Sequence, residues 1–162
     1  MKMRKDKITT LTISALIMAM YIALMYATQA FAFGAYQVRV ATCLYALAYL
    51  FPFLIVPLGL ANSLSNFLGG LGLLDIVGGF AVGIVTAAGV YLIRAARLPK
   101  ALVIPVIIAG PGLIVPLWLS PITGIPYWPL VLSLCVGQTA PAVLGYLLIR
   151  LLAKLEIGKP VN

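Results

Sequence analysis

Two charged side chains stand apart from every other charge in this chain, Arg39 and Asp75. Each is embedded in apolar sequence, where an ionisable group is costly and is kept for pairing or for function. Uncharged polar groups accompany them. Asn62 and Asn66 are one helical turn apart and share a face, with Ser65 beside them. Gln37 and Thr42 flank Arg39, and Gln138 lies in the last apolar run. An amide offers a donor and an acceptor in one plane. A set of amides therefore suits a flat heterocycle, with Tyr36, Tyr45, Trp118 or Trp128 available as a stacking face. The same groups could instead glue helices together. Arg39 and Asp75 would then be an ion pair that only fixes packing, or Arg39 would reach the outer headgroups. We take Gln37, Arg39, Thr42, Asn62, Asn66, Asp75 and Gln138 as the candidate substrate-binding set.

The chemistry that is missing narrows the choice. The chain has no histidine, which removes the commonest metal ligand and general base. It has no glycine-rich phosphate loop, no paired carboxylates and no nucleophile–base set. These gaps argue against an enzyme and leave no catalytic or metal-ligating residues to name. No cofactor is implied. Cys43 and Cys135 lie in apolar runs without metal-ligand spacing and read as small buried hydrophobes. Without a nucleotide-binding motif the chain cannot by itself use ATP to drive uphill transport. One intramembrane carboxylate gives only thin support to proton coupling.

The elements that must position these groups follow from composition. Of 162 residues, 64% are hydrophobic and 9% charged, and the mean hydropathy is +1.16. No soluble domain of this size could cover such a surface, so residues 1–162 read as one integral membrane domain. The net charge of +8 points away from nucleic acid, because the basic groups cluster at span ends. Lys2, Arg4, Lys5 and Lys7 precede the first apolar run, Arg94, Arg97 and Lys100 form a second cluster, and Arg150, Lys154 and Lys159 close the chain. Such clusters mark cytoplasmic loops and an anionic cytoplasmic leaflet.

The first run, Ile8 to Phe33, has no charge and is longer than a bilayer requires. It mimics a secretory signal, ending in Ala30-Phe31-Ala32, but exceeds the usual apolar length of one and reads as a retained span. Val40 to Gly70 is broken at Pro52 and Pro57, which predicts two short helices around a proline turn; a single kinked span is the alternative. Leu71 to Ile93 is a further span. Ala101 to Leu119 carries Pro105, Gly110, Pro111, Gly112 and Pro116 and predicts an irregular helix. Ser120 to Pro129 reads as a loop with interfacial Tyr127 and Trp128, and Leu130 to Leu152 as the last span. Six helices put all three basic clusters inside and the uncharged Ser120–Pro129 loop outside. The expected fold is an all-α bundle of six transmembrane helices, some short or broken, with cytoplasmic termini. Ala15, Ala19, Ala23 and Ala27 repeat every fourth residue and form one stripe on the first helix. On a membrane helix such a stripe admits a second helix closely, either a partner's or one of the chain's own.

The stretch Phe33-Gly34-Ala35-Tyr36-Gln37-Val38-Arg39-Val40 resembles the Q-[FV]-R-[VI] signature of the QueT family. These are substrate-binding S components of energy-coupling factor (ECF) transporters for queuosine precursors. Leu60-Ala61-Asn62 through Asn66, Gly69-Gly70 and Leu74-Asp75-Ile76 to Gly79 are similar to that family's N…GG…LD-x-x-x-G pattern. The alanine ladder is similar to the face by which S components dock on the transmembrane coupling subunit. The resemblance implies capture of a 7-deazaguanine from outside, in a pocket closed by the loop after span one. It implies association with a coupling subunit and two ATPases, then tipping in the membrane to release substrate inside. Carried over by position, Arg39, Asn66 and Asp75 would form or support the pocket, with Gln37 in the closing loop.

The departures are equally specific. The family usually has a glutamate where Thr42 stands, an acidic residue where Gln138 stands, and an asparagine soon after the proline corresponding to Pro105, where Val106, Ile107 and Ile108 follow here. Losing two carboxylates removes partners for a cationic amine. The expectation is a neutral, nitrile-bearing deazaguanine rather than an aminomethyl or queuine-like ligand. Another purine or a vitamin fits the same changes. Two other readings fit the residues: a stand-alone secondary transporter with Asp75 as coupling acid, and a ligand-free membrane scaffold.

Overall fold

The computed structural model describes residues 2–33 and 37–155, with side chains described from Lys7 onward. Lys2, Arg4, Lys5, Lys159 and Tyr36, named above for charge or stacking, have side chains outside the described residues. The described residues hold helices and no strand. Helix α1 spans Lys2–Ala27 and is followed by the short α2, Gln29–Ala32. A 3₁₀ helix covers Val40–Tyr49, then come α3 (Ile55–Asn66), α4 (Leu73–Ala95), α5 (Val103–Ile114), α6 (Pro116–Thr123) and α7 (Tyr127–Lys154). Five helical stretches are long and apolar enough to cross a membrane, and the 3₁₀ helix is a shorter sixth. Large apolar side chains such as Leu73, Trp128 and Leu132 face outward, as a lipid-exposed surface requires. The expectation of an all-α membrane bundle holds.

The proline-turn reading of residues 40–70 is also correct. The chain breaks at Leu50–Pro52, and a 3₁₀ turn, Pro52–Leu54, leads into α3. Pro57 falls in the first turn of α3, where its missing N–H has no helical acceptor to lose. In the fifth stretch, Pro116 restarts the helix after Val115, so this span is broken as its prolines predict. The Ser120–Pro129 loop is shorter than expected. Helix α6 runs on to Thr123 and ends at Gly124 with φ 73°, and α7 begins at Tyr127. Pro129 lies in the first turn of α7 and is compatible with helix there.

The buried 3₁₀ helix organises the bundle. Eight of its ten residues are buried, and the main apolar core surrounds it with Tyr21, Met25, Leu54, Leu58, Val90, Ile107 and Ile149. A 3₁₀ helix rises about 2.0 Å per residue, so ten residues reach about 20 Å rather than the 15 Å of an α-helix. With three residues per turn its side chains form straight rows. Arg39 (its N-cap), Thr42 and Tyr45 are in one row, and Cys43 and Ala46 in the next. In an α-helix the same spacing would drift around the axis.

Glycines set the closest helix contacts. Gly79 and Gly83 form a small-xxx-small pair on α4. A Cβ on Gly83 would lie 2.7 Å from the Cα of Gly59 on α3, so the two backbones touch. A Cβ on Gly145 of α7 would lie 2.7 Å from the Cys43 carbonyl, seating α7 on the second row of the 3₁₀ helix. We predict that Gly83→Leu is not tolerated, because backbone cannot yield as a side-chain tip can. Overpacking of this kind costs about 1–3 kcal/mol or more. Thermal denaturation in detergent should fall steeply for Gly83→Leu and by less for Gly83→Ala; an unchanged midpoint for Gly83→Leu would refute the contact.

At the far end, Arg94 Nη1 donates to the carbonyls of Tyr49 and Leu50, both at 2.9 Å. A cation here caps the C-terminus of the 3₁₀ helix. The 3₁₀ helix therefore runs parallel to α4, its Arg39 end beside the start of α4 and its Tyr49 end beside the basic Arg94–Lys100 loop.

Candidate functional site

The seven candidate binding residues come from the loop before the 3₁₀ helix, the 3₁₀ helix with its N-cap, α3, α4 and α7, and all seven are buried. Arg39 is only 4% exposed. It does not reach the outer headgroups, and it does not pair with Asp75. Its Nη1 donates to Asn62 Oδ1 at 3.3 Å and to Asn66 Oδ1 at 3.0 Å. Each amide is turned by a bond from its other end to the α4 main chain. Asn62 Nδ2 donates to the Gly79 carbonyl at 2.7 Å, and Asn66 Nδ2 to the Asp75 carbonyl at 2.8 Å. Gly79 carries no Cβ because Asn66 Nδ2 occupies that space. Asp75 sits in the first turn of α4, where the helix dipole favours a carboxylate. Its Oδ1 accepts from Trp118 Nε1 at 3.0 Å. Asn66 thus stands between the two charges, reading the main chain of one and the side chain of the other.

The second half of the site closes across the whole chain. Thr42 Oγ1 is 2.7 Å from both the Arg39 carbonyl and Gln138 Oε1. One hydroxyl proton serves one acceptor at a time, so acceptor capacity is left over. Gln138 Nε2 donates to the Gln37 carbonyl at 3.4 Å. Gln37 has φ 42°, a left-handed conformation that costs free energy in a non-glycine residue and gathers at functional sites.

A cavity is lined by the polar Gln37, Arg39, Thr42, Tyr45, Asn62 and Gln138 together with the apolar Val82, Pro111, Val115 and Leu134. Its volume is about 10 Å³, room for about one water molecule, so a larger guest requires the surrounding helices or the Gln37 loop to move apart. Several buried polar atoms have no protein partner: Arg39 Nε and Nη2, Gln37 Oε1 and Asp75 Oδ2. The first three belong to residues lining the cavity. A buried donor or acceptor left alone costs about 1–3 kcal/mol, so these atoms leave hydrogen-bonding capacity free around the cavity.

Composition and spacing do not reveal every participant. Tyr21 Oη donates to Asn62 Oδ1 at 3.1 Å and lies 3.2 Å from Tyr45 Oη. A tyrosine at mid-span rather than at the interface was the available signal. Phe33 stacks on the Arg39 guanidinium, 5.2 Å from ring centroid to Cζ. Of the stacking candidates, Tyr45 lines the cavity, Trp118 packs on Gly78 and binds Asp75, and Trp128 faces outward at 69% exposure. Cys43 and Cys135 are free and half-buried rather than fully buried. The alanine ladder is exposed at all four positions. Helix α1 packs inward through Ser14, Tyr21 and Met25 instead, so the ladder does not serve the chain's own packing.

A multi-pass helical bundle enclosing a half-polar, half-apolar cavity is the architecture of a membrane transport protein. The chain belongs to the QueT transporter family, whose family model matches residues 11–154. No curated protein and no solved structure gives a match.

Proposed function

We propose that this chain is the substrate-binding S component of an ECF-type importer, and that it captures a neutral 7-deazaguanine and passes it inward after docking on a coupling subunit driven by two ATPases. The observation that carries the substrate class is the set of unpartnered atoms around the cavity. Arg39 offers two unpartnered nitrogens, Nε and Nη2, in a fixed fork, and Gln37 Oε1 offers an acceptor. A guanine-type ring presents a carbonyl to such a fork and ring or exocyclic N–H groups to an amide oxygen. On a deazaguanine bearing a nitrile, the nitrile nitrogen lies next to that carbonyl and gives the fork its second acceptor. An aminomethyl group at the same position would bring an ammonium against an uncompensated guanidinium.

The two departures from the family pattern support the same choice. Thr42 and Gln138 are 96 positions apart in sequence and 2.7 Å apart in space. Neutral groups replace acids at both ends of one contact.

The test is a thermal-shift titration of the purified chain in detergent against nitrile-, aminomethyl- and queuine-type deazaguanines, guanine and common vitamins. A ligand that binds only the folded state raises the midpoint with the logarithm of its excess over Kd. The nitrile ligand is expected to give the largest shift. Thr42→Glu is expected to move the preference toward the aminomethyl ligand by at least tenfold. A larger shift with the amine in the unmodified chain would overturn the neutral-ligand reading. A shift only with another base or vitamin would overturn the deazaguanine reading and keep the transporter. Accumulation of substrate in cells without a coupling module would favour a stand-alone transporter.

A further inference from the structure

At the opposite end from the cavity, three cations from distant parts of the chain meet. Lys100 begins the 3₁₀ turn before α5, while Arg150 and Lys154 are one turn apart near the end of α7. Together with Tyr146 and Ala153 they line an open groove of about 450 Å³. The Arg150 guanidinium lies 5.7 Å from the centroid of the Tyr146 ring, within cation–π range. No carboxylate answers these charges among the described side chains. Asp75 is the one acid there, and it is held by Trp118 at the other end of α4. Beside the cations, Leu102, Leu147 and Leu151 are exposed.

We propose that this groove binds the phosphate of an anionic phospholipid from the cytoplasmic leaflet. The charge rule for membrane proteins asks only that cations lie on the cytoplasmic side. It does not require two chain segments to bring them into one recess, or an aromatic ring to stand beside one of them. A basic recess between membrane helices with exposed leucines beside it matches a headgroup phosphate with acyl chains attached. A free phosphate would gain nothing from the leucines. This site is independent of the substrate assignment.

The test uses the full purified chain in detergent, with phosphatidylglycerol or phosphatidylcholine added and bound lipid read by native mass spectrometry. A surface cation contributes roughly fivefold to anionic-lipid affinity. Arg150→Gln with Lys154→Gln should therefore lower phosphatidylglycerol retention by about 25-fold, and Lys100→Gln alone by about fivefold. All three residues are exposed, so the variants should fold; an unchanged thermal midpoint checks this. The control, Lys7→Gln with Arg97→Gln, removes the same charge elsewhere and should leave retention unchanged. Equal losses in control and groove variants would reduce the effect to diffuse charge and overturn the site. So would equal retention of phosphatidylcholine. Displacement of the lipid by millimolar inorganic phosphate would reassign the groove to a soluble anion.

Discussion

Replacing Arg39 by methionine is expected to abolish ligand-induced stabilisation while leaving the ligand-free chain as stable as before, or more so. Arg39 is buried without a carboxylate partner and stands at the N-terminal end of the 3₁₀ helix. A buried ion carries an effective penalty of several kcal/mol, and a helix N-terminus is the wrong end for a cation. Two amide oxygens and the Phe33 ring offset part of this. Removing the charge removes the penalty. It leaves Asn66 Oδ1 without its donor, which costs about 1–3 kcal/mol; Asn62 Oδ1 keeps Tyr21. The terms nearly cancel in the empty protein. They do not cancel with ligand, because the unpartnered Nε and Nη2 donors of Arg39 are gone. Binding should fall at least 100-fold. Arg39→Lys should also bind poorly, since a point charge cannot reproduce a two-pronged fork. The check is a thermal-shift titration of the unmodified chain and both variants. A sharply lower midpoint for ligand-free Arg39→Met, with ligand affinity retained, would show Arg39 to be a packing residue.

The sequence makes Arg39 legible and hides its surroundings. A lone arginine, a lone aspartate and two asparagines a turn apart stand out against apolar spans, because polarity is rare there. Opposite charge alone suggests that Arg39 and Asp75 pair. The fold decides otherwise, since the first turn of α4 already favours the Asp75 carboxylate and Trp118 reaches it first. Helix-breaking prolines mark the interruptions at Pro52 and Pro116 correctly, since their effect is local. They say nothing about winding. That Val40–Tyr49 is 3₁₀ follows from its packing, and this winding is what puts Arg39, Thr42 and Tyr45 in one row. The Thr42–Gln138 contact belongs to the same class. It depends on Gly145 letting α7 sit against the Cys43 carbonyl, a tertiary fact that no short-range spacing contains. Tyr21 was hidden for a simpler reason. In a 26-residue α-helix an apolar body conceals one hydroxyl.

Ala19→Leu combined with Ala23→Leu is expected to separate docking from ligand capture. Both alanines are exposed, in a helix with 11% of its most apolar window buried, against 39% in each of the other four. Helix α1 is therefore the outermost helix, and its alanine stripe faces away from the core. Leucine on a lipid-facing surface adds apolar area to an apolar solvent, so the isolated chain should lose almost no stability. A partner helix responds differently. Lipid gives no hydrophobic drive for association, and close packing over small residues must supply it. Two leucines on adjacent turns hold the backbones apart and forfeit those contacts. Co-purification of a coupling subunit with the tagged chain should drop at least tenfold, and uptake should fail. The ligand-induced thermal shift should remain, because Tyr21, on the other side of α1, still reaches Asn62. Loss of both properties together would place the ladder within the fold of the binding site. Survival of assembly and uptake in the double variant would sink the docking proposal and leave the stripe as bare lipid surface.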